Sequence, residues 1–182
     1  MPMRAVVAEG LGGPYIGGTW GTLLYSDGGA FFNIESNTAN TITGFWRSAS
    51  SAIYAVTDSP GQVLRYLGVG WADESPGQVG NIRGLWGTSS VDLWVAVSDG
   101  VHHFDGDAWS PRVDLPGITQ GIWGSGPSDV YAVGVVDVGA PDQFHATMFH
   151  YDGGSWSPVA HGLTGETALT EVWGTAWNNV YA

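Results

Sequence analysis

Asp27, Asp105 and Asp152 each stand directly before a glycine, and carboxylates beside backbone carbonyls are the oxygen donors that calcium takes. The same Asp-Gly pair is a common hairpin turn, because glycine accepts positive φ and the aspartate side chain bonds nearby amides. No segment has the Asp-x-Asp-x-Asp-Gly spacing of a calcium loop. The turn is therefore the expectation; calcium is the one cofactor left open, and otherwise none is expected.

His103 and His150 occupy equivalent places in two similar segments, with His102 beside the first and Met148 two residues before the second. A zinc ion needs three or four converging ligands, and equivalent positions on neighbouring repeats lie too far apart to share one, so no metal site is expected. Cysteine is absent, which excludes disulfides, thiolate ligands and cysteine nucleophiles. Glycoside hydrolysis needs two carboxylates flanking one bond, yet Glu9, Glu35, Glu74, Glu166 and Glu171 fall at scattered positions without pairing. There is no Gly-x-Ser-x-Gly elbow, phosphate loop or His-Glu-x-x-His helix. No catalytic residue is assigned.

What positions these residues is a repeat. The segments Gly44 to Val56, Gly84 to Val97, Gly121 to Val133 and Glu171 to Ala182 share an apolar-Trp pair, a small-residue turn and an apolar-aromatic run. Trp46, Trp86, Trp123 and Trp173 mark the phase, at spacings of 40, 37 and 50 residues. One Trp per repeat at fixed phase is what packing between successive units demands, so these four are expected in the core. Trp20, Trp94 and Trp177 lie outside that phase, and Trp20 is expected to be exposed. Asp92, Asp129 and Asn179 also share one phase, just before an apolar-aromatic strand, where a side chain capping the preceding turn accounts for them.

A second half of the unit recurs in Val63 to Trp71, Val101 to Trp109 and Met148 to Trp156, each an alternating strand that turns at glycine and emerges at Trp. Each repeat thus holds about four short strands in roughly 40–50 residues, the period of propeller blades. The fold class expected is all-β, a β-propeller of four-stranded antiparallel blades with about four repeats. As one domain over 1–182, its blades would be 1–43, 44–83, 84–120 and 121–170, with a closing or truncated strand at 171–182.

At the amino terminus, RAVVAEG matches NNVYA and its continuation, so that Val6 corresponds to Val180, 174 residues or four repeats away. Two readings follow. Either the strand around Val172 completes a first blade that lacks its own first strand, removing exposed sheet edges, or the array is longer than this chain. In the first repeat Ser26-Asp27-Gly28 reads as shifted by one residue, with Phe in place of Trp.

Two segments read as insertions between second and third strands: Leu11 to Gly21, and Val133 to Phe149. Loops inserted at corresponding points project from one face, often the binding face. The candidate binding residues are accordingly Tyr15, Trp20, Asp137, Asp142 and His145.

Composition agrees with a turn-rich, aromatic-cored β protein: 29 Gly and 10 Trp in 182 residues, with only 12% charged. Five Arg and no Lys stand against 17 acidic residues, and a net charge of −12 would repel nucleic acid or an anionic membrane surface. No stretch has the length of apolar residues needed to span a bilayer, and the start lacks the pattern of a signal peptide.

The strings WGSGPSDVYAVG (Trp123 to Gly134) and HYDGGSW (His150 to Trp156) resemble bacterial β-propeller repeats of large surface or secreted proteins. DLWVAVSDGVHHFDG (Asp92 to Gly106) is similar to the propeller repeats of two-component sensor ectodomains, and the hairpin with Asp ahead of Gly and Trp resembles Asp-box and tectonin-type repeats. Arg47 departs from Gly87, Gly124 and Gly174, and Leu67 from Asp105 and Asp152. The resemblance implies an extracellular or cell-surface setting and a non-catalytic module displaying loops to a glycan or protein. The alternatives are a lyase or hydrolase at the channel mouth, carried by Glu166, Asp142 and an arginine, and a structural segment of a large adhesin or sensor. Self-assembly of propeller fragments is a further expected partnership.

Overall fold

The computed structural model describes residues 3–7, 13–77, 79–139, 144–163 and 167–182, and all regular structure among them is β-strand. The chain divides into two compact units, Met1–Ile82 and Arg83–Ala182.

In the first unit, one sheet runs in chain order through β1 (Met3–Val7), β2 (Tyr15–Gly18), β3 (Leu23–Ser26) and β4 (Phe31–Asn33). A second runs through β5 (Ile42–Arg47), β6 (Ile53–Thr57), β7 (Val63–Tyr66) and β8 (Trp71–Asp73). The third sheet, from the unit boundary onward, comprises β9 (Ile82–Ser89), β10 (Asp92–Val97), β11 (Gly100–Phe104) and β12 (Val113–Asp114). The fourth comprises β13 (Ile118–Gly126), β14 (Asp129–Asp137), β15 (Phe144–Tyr151) and β16 (Trp156–Pro158), and β17 (Trp173–Ala176) pairs with β18 (Asn179–Tyr181) in a two-stranded sheet. Every sheet is antiparallel, with its strands paired in chain order.

The link between third and fourth strands shows how the sequence sets the geometry. Gly28, Gly68, Gly106 and Gly153 all have φ between 87° and 98°, which a side chain would resist. Beside them one Oδ1 of Asp27, Asp105 and Asp152 accepts two backbone N–H bonds, for Asp152 from Gly154 and Ser155 at 2.9 Å each. These bonds hold all three carboxyls below the ordinary aspartate range. The carboxylates thus serve the turn.

The second strands are the most buried, because both faces of the sheet are covered there: β6 throughout, and Leu93 to Val97 in β10. This explains their unbroken apolar runs. Their aromatic residue packs on the hairpin pair of the following blade. Tyr15 lies 5.9 Å from the Tyr66 ring and 6.2 Å from Trp71, while Trp94 lies 4.9 Å from Tyr151 and 5.7 Å from Trp156. Each such pair contributes about 0.5–1.5 kcal/mol beyond the burial of its area.

Several sequence expectations are corrected. The first sheet has its own first strand: Val6 of β1 pairs with Ile16 of β2, so β1 is not equivalent to the strand of Val180, and the strands after Val172 form a sheet of their own. Leu11 to Gly21 is no insertion, since it contains β2; PYIGG is the first blade's version of LWVAV, with Tyr15 in the place of Trp94. Nor is Ser26-Asp27-Gly28 shifted. Ser26 stands opposite Phe31 as Tyr151 stands opposite Trp156, so the first hairpin differs only by substitution. The first strands also begin earlier, at Ile42, Ile82 and Ile118, than the glycines that head the repeats.

Candidate functional site

In the first unit, β2 and β3 are joined by Thr19-Trp20-Gly21-Thr22. Gly18 N–H donates to Thr22 O at 2.9 Å and Thr22 N–H to Thr19 O at 3.1 Å. Trp20 and Gly21 have φ of 59° and 64°, the left-handed pair of a type I′ hairpin turn. Asn, Asp or Gly normally fills the first of these positions, and an ordinary L-residue there costs roughly 1–2 kcal/mol. Trp20 accepts that conformation and is 80% exposed. A large aromatic held outward at a strained position is unlike a packing residue.

Beneath the turn lies an open depression of about 670 Å³, lined by Trp20, Leu24, Glu35, Ser36, Asn37 and Thr38. The segment that forms its floor is fastened at both sides. Ser36 Oγ donates to Gly21 O at 2.7 Å, Asn37 Nδ2 to Trp71 O at 2.8 Å, and Thr38 Oγ1 to Gln62 Oε1 at 2.6 Å. Gln62 in turn donates to Asp73 at 2.8 Å, tying the floor to β8. The exposed indole and the exposed Glu35 therefore stand on a fixed frame, which limits the ordering cost of binding.

The second unit carries a groove of about 540 Å³ between the third and fourth sheets, lined by Trp94, His103, Asp114, Phe149, Tyr151 and Trp156 among others. Its walls are the inter-blade core itself. Trp94 is 3% exposed, and the indole nitrogens of Trp94 and Trp156 are buried without a conventional acceptor among rings packed edge to face.

At its rim His103 stacks on Trp94 at 4.0 Å, and its Nε2 lies 2.6 Å from Asp92 Oδ1; Thr88 Oγ1 donates to the other oxygen of Asp92. The fourth sheet repeats the arrangement. His150 stacks on Tyr131 at 4.5 Å and bonds Asp129 Oδ1 at 2.6 Å, and Ser125 Oγ donates to Asp129 Oδ2. Asn179 donates to Thr175 at 2.7 Å at the same phase. Hydroxyl, carboxylate and imidazole are all present, but the hydroxyl donates to the carboxylate and not to the imidazole. The order of contacts is thus not the hydroxyl–imidazole–carboxylate order of a nucleophilic triad. The groups cap the turn between first and second strands and fix the third strand to it.

The expected site residues fall on both units, Tyr15 and Trp20 on the first, Asp137 and His145 on the second. Tyr15 is 8% exposed, packed among Tyr25, Tyr66 and Trp71, and burial is the largest cause raising its phenol above the ordinary range. It is a core residue, a correction that follows from its place in β2. Asp137, at the end of β14, caps Gly139 N–H at 2.8 Å; His145 in β15 stands opposite Val136. The two are exposed and project from opposite faces of the long hairpin. Asp142 lies outside the described residues, as does Glu166. Of the phase-marking Trp residues, Trp46, Trp86 and Trp123 are half-buried and Trp173 is exposed, against expectation, because no strand among the described residues packs over it.

The polar floor of the Trp20 depression escaped sequence reading. Its signal was the run ESNTANT between β4 and β5, where Asn37 takes φ of 58°. Among the described residues no cluster of three or more His, Asp or Glu could hold a metal ion.

Comparison with solved structures decides the fold. The extracellular domain of BT4673 from B. thetaiotaomicron, described as a hybrid two-component system, superposes with a TM-score of 0.70 at 14% identity over 99% of this chain and 25% of that one. YCF48 from Cyanidioschyzon merolae matches with a TM-score of 0.63 at 14% identity, over 94% of this chain and 59% of that one.

The fold is a β-propeller fold of four-stranded antiparallel blades.

The chain spans about a quarter of the length of the first of these propellers. No protein-family model matches the sequence, and no curated protein matches it significantly.

Proposed function

We propose that this chain is a non-catalytic recognition module whose blade-edge loops bind a glycan, outside the cell or at its surface. The observation that carries the reading is Trp20, an indole 80% exposed on a turn whose backbone favours a smaller residue, above a depression of fixed polar groups. An apolar ring face with a few oriented polar groups beside it suits a sugar, which offers C–H groups on one face and hydroxyls around its edge. Asn37 and Glu35 would meet those hydroxyls. The charge of −12 favours a neutral glycan over an anionic one. The likeness to an extracellular sensor domain supports the location, at the level of fold.

The test is a glycan array followed by titration calorimetry on the wild type and on Trp20→Asn, a residue suited to the turn. A neutral glycan bound by the wild type and at least about tenfold more weakly by the variant supports the reading. No bound glycan, or equal binding by both, overturns it, and capture of a protein partner through the same tryptophan would put a protein ligand in its place.

A further inference from the structure

We propose that the groove between the third and fourth sheets binds a small aromatic ammonium, a flat ring joined by a short chain to a positively charged amine. The inference goes beyond glycan recognition and does not rest on it, since the groove belongs to the second unit and Trp20 to the first.

Both sheets that form the groove carry four strands, and its volume of about 540 Å³ is that of a small-molecule site. The fourth sheet lines it with Phe149, Tyr151 and Trp156, all half-buried, so that each ring keeps part of its surface open. Tyr151 is held in place: its Oη donates to Gly153 O at 2.9 Å, and its ring lies 5.5 Å from that of Trp156 and 4.9 Å from that of Trp94. From the third sheet, β12 and the residue after it bring apolar surface, Val113 and Leu115, together with the carboxylate of Asp114. A fixed lining of rings and aliphatic groups favours a flat apolar body at little ordering cost.

The charge beside this lining selects the sign of the ligand. Asp114 Oδ1 accepts from Arg112 Nε at 2.7 Å, and Arg112 also bonds Asp99, so two carboxylates share one guanidinium and one negative charge is left over. Asp92 stands behind His103, whose imidazole lines the groove and whose Nε2 lies 2.6 Å from Asp92 Oδ1. The net charge of −12 gives the surrounding field the same sign. An ammonium is attracted by these carboxylates and by the faces of Tyr and Trp rings, an anion is repelled, and an uncharged ring gains from burial alone.

The experiment is titration calorimetry on the full chain at low salt, with probes that share one ring system: tryptamine, a cation, tryptophol, which is neutral, and indole-3-acetate, an anion. Tryptamine is expected to bind with Kd of roughly 0.1–1 mM, as suits a ligand of its size. It should bind about fivefold more tightly than tryptophol, and indole-3-acetate should not bind. Asp114→Asn, at an exposed carboxylate, should weaken tryptamine about threefold and leave tryptophol unchanged. Ser155→Trp, which fills the groove from the exposed hairpin, should abolish binding with unchanged far-ultraviolet dichroism. In nitrogen-proton correlation spectra, tryptamine should move the indole N–H signals of Trp94 and Trp156, assigned through Trp94→Phe and Trp156→Phe. Trp20→Asn should bind tryptamine as the wild type does, so a failure of the glycan reading leaves this result standing. No binding of tryptamine up to about 5 mM overturns the proposal. So does tryptophol or indole-3-acetate bound as tightly, tryptamine binding indifferent to Asp114→Asn, or signals that move at Trp20 and not at Trp94 and Trp156.

Discussion

The indole of Trp123 occupies the space that a side chain on Gly174 would need: a Cβ there would lie 2.7 Å from its Cη2 atom, and the same relation joins Trp86 to Gly124 at 2.6 Å. At Gly124 and Gly174 the Trp of the blade before and a carbonyl of the glycine's own blade, Asp129 O or Asn179 O at 2.6 Å, claim the same space, whereas Gly87 meets only its own blade, Asp92 O at 2.4 Å and Leu93. Arg47 stands at the corresponding position of the second blade, and the strand Met3–Val7 of the blade before contains no Trp.

Substituting Gly124 tests this directly. Gly124→Ala should destabilise the protein by about 1–3 kcal/mol, the usual cost of forcing a methyl group into a filled space. Gly126→Ala, two residues on and with nothing within 4 Å of its Cβ, should change stability little. Urea denaturation of both variants checks the contrast, and equal effects would remove the explanation.

Tyr15 and Trp20 lie five residues apart and should behave oppositely. Tyr15→Ala deletes a ring from the core of the first unit and should cost about 3–5 kcal/mol. Trp20→Asn relieves a left-handed Trp and should leave stability unchanged or raise it by up to about 1 kcal/mol, while weakening any glycan binding. Thermal melts compared with binding isotherms measure both.

The turn aspartates make the fold sensitive to acid. Their backbone bonds lower the folded pKa of Asp27, Asp105 and Asp152 relative to the unfolded chain. The stability they contribute is present above the ordinary aspartate value near 3.9 and is lost as pH falls through the lower folded value. Asp152→Ala should flatten the acid limb of a stability profile measured between about pH 5 and pH 2. An unchanged limb would exclude the turn bonds as its cause.

Tyr15 acts at the other end of the scale. Its pKa is raised, so its contribution is complete below the unfolded tyrosine value near 10 and is lost as pH rises through the folded one. Tyr15→Phe should reduce the loss of stability in that alkaline window, as followed by urea titration at stepped pH. A loss as large as in the wild type would count against burial of this phenol as its source.

The repeat, the strand count of its units and the Asp-Gly turns were legible in the residues, because each is local. A turn needs its glycine at positive φ, a strand its alternation or apolar run, and one Trp per period marks a packing demand whatever surrounds it. Pairing is not local, and only the tertiary structure decided it. RAVVAEG is equally compatible with a first or a second strand, and its hydrogen-bonded partner, Ile16 opposite Val6, assigns it to the first. That one pairing makes Tyr15–Gly18 a second strand followed by its turn, with Tyr15 inward and Trp20 outward, while the bonds of Ser36, Asn37 and Thr38 hold the floor beside the indole. Exposure of Trp173 was equally beyond local pattern. Its sequence context matches that of Trp123, and what separates them is whether another blade's surface lies against the ring.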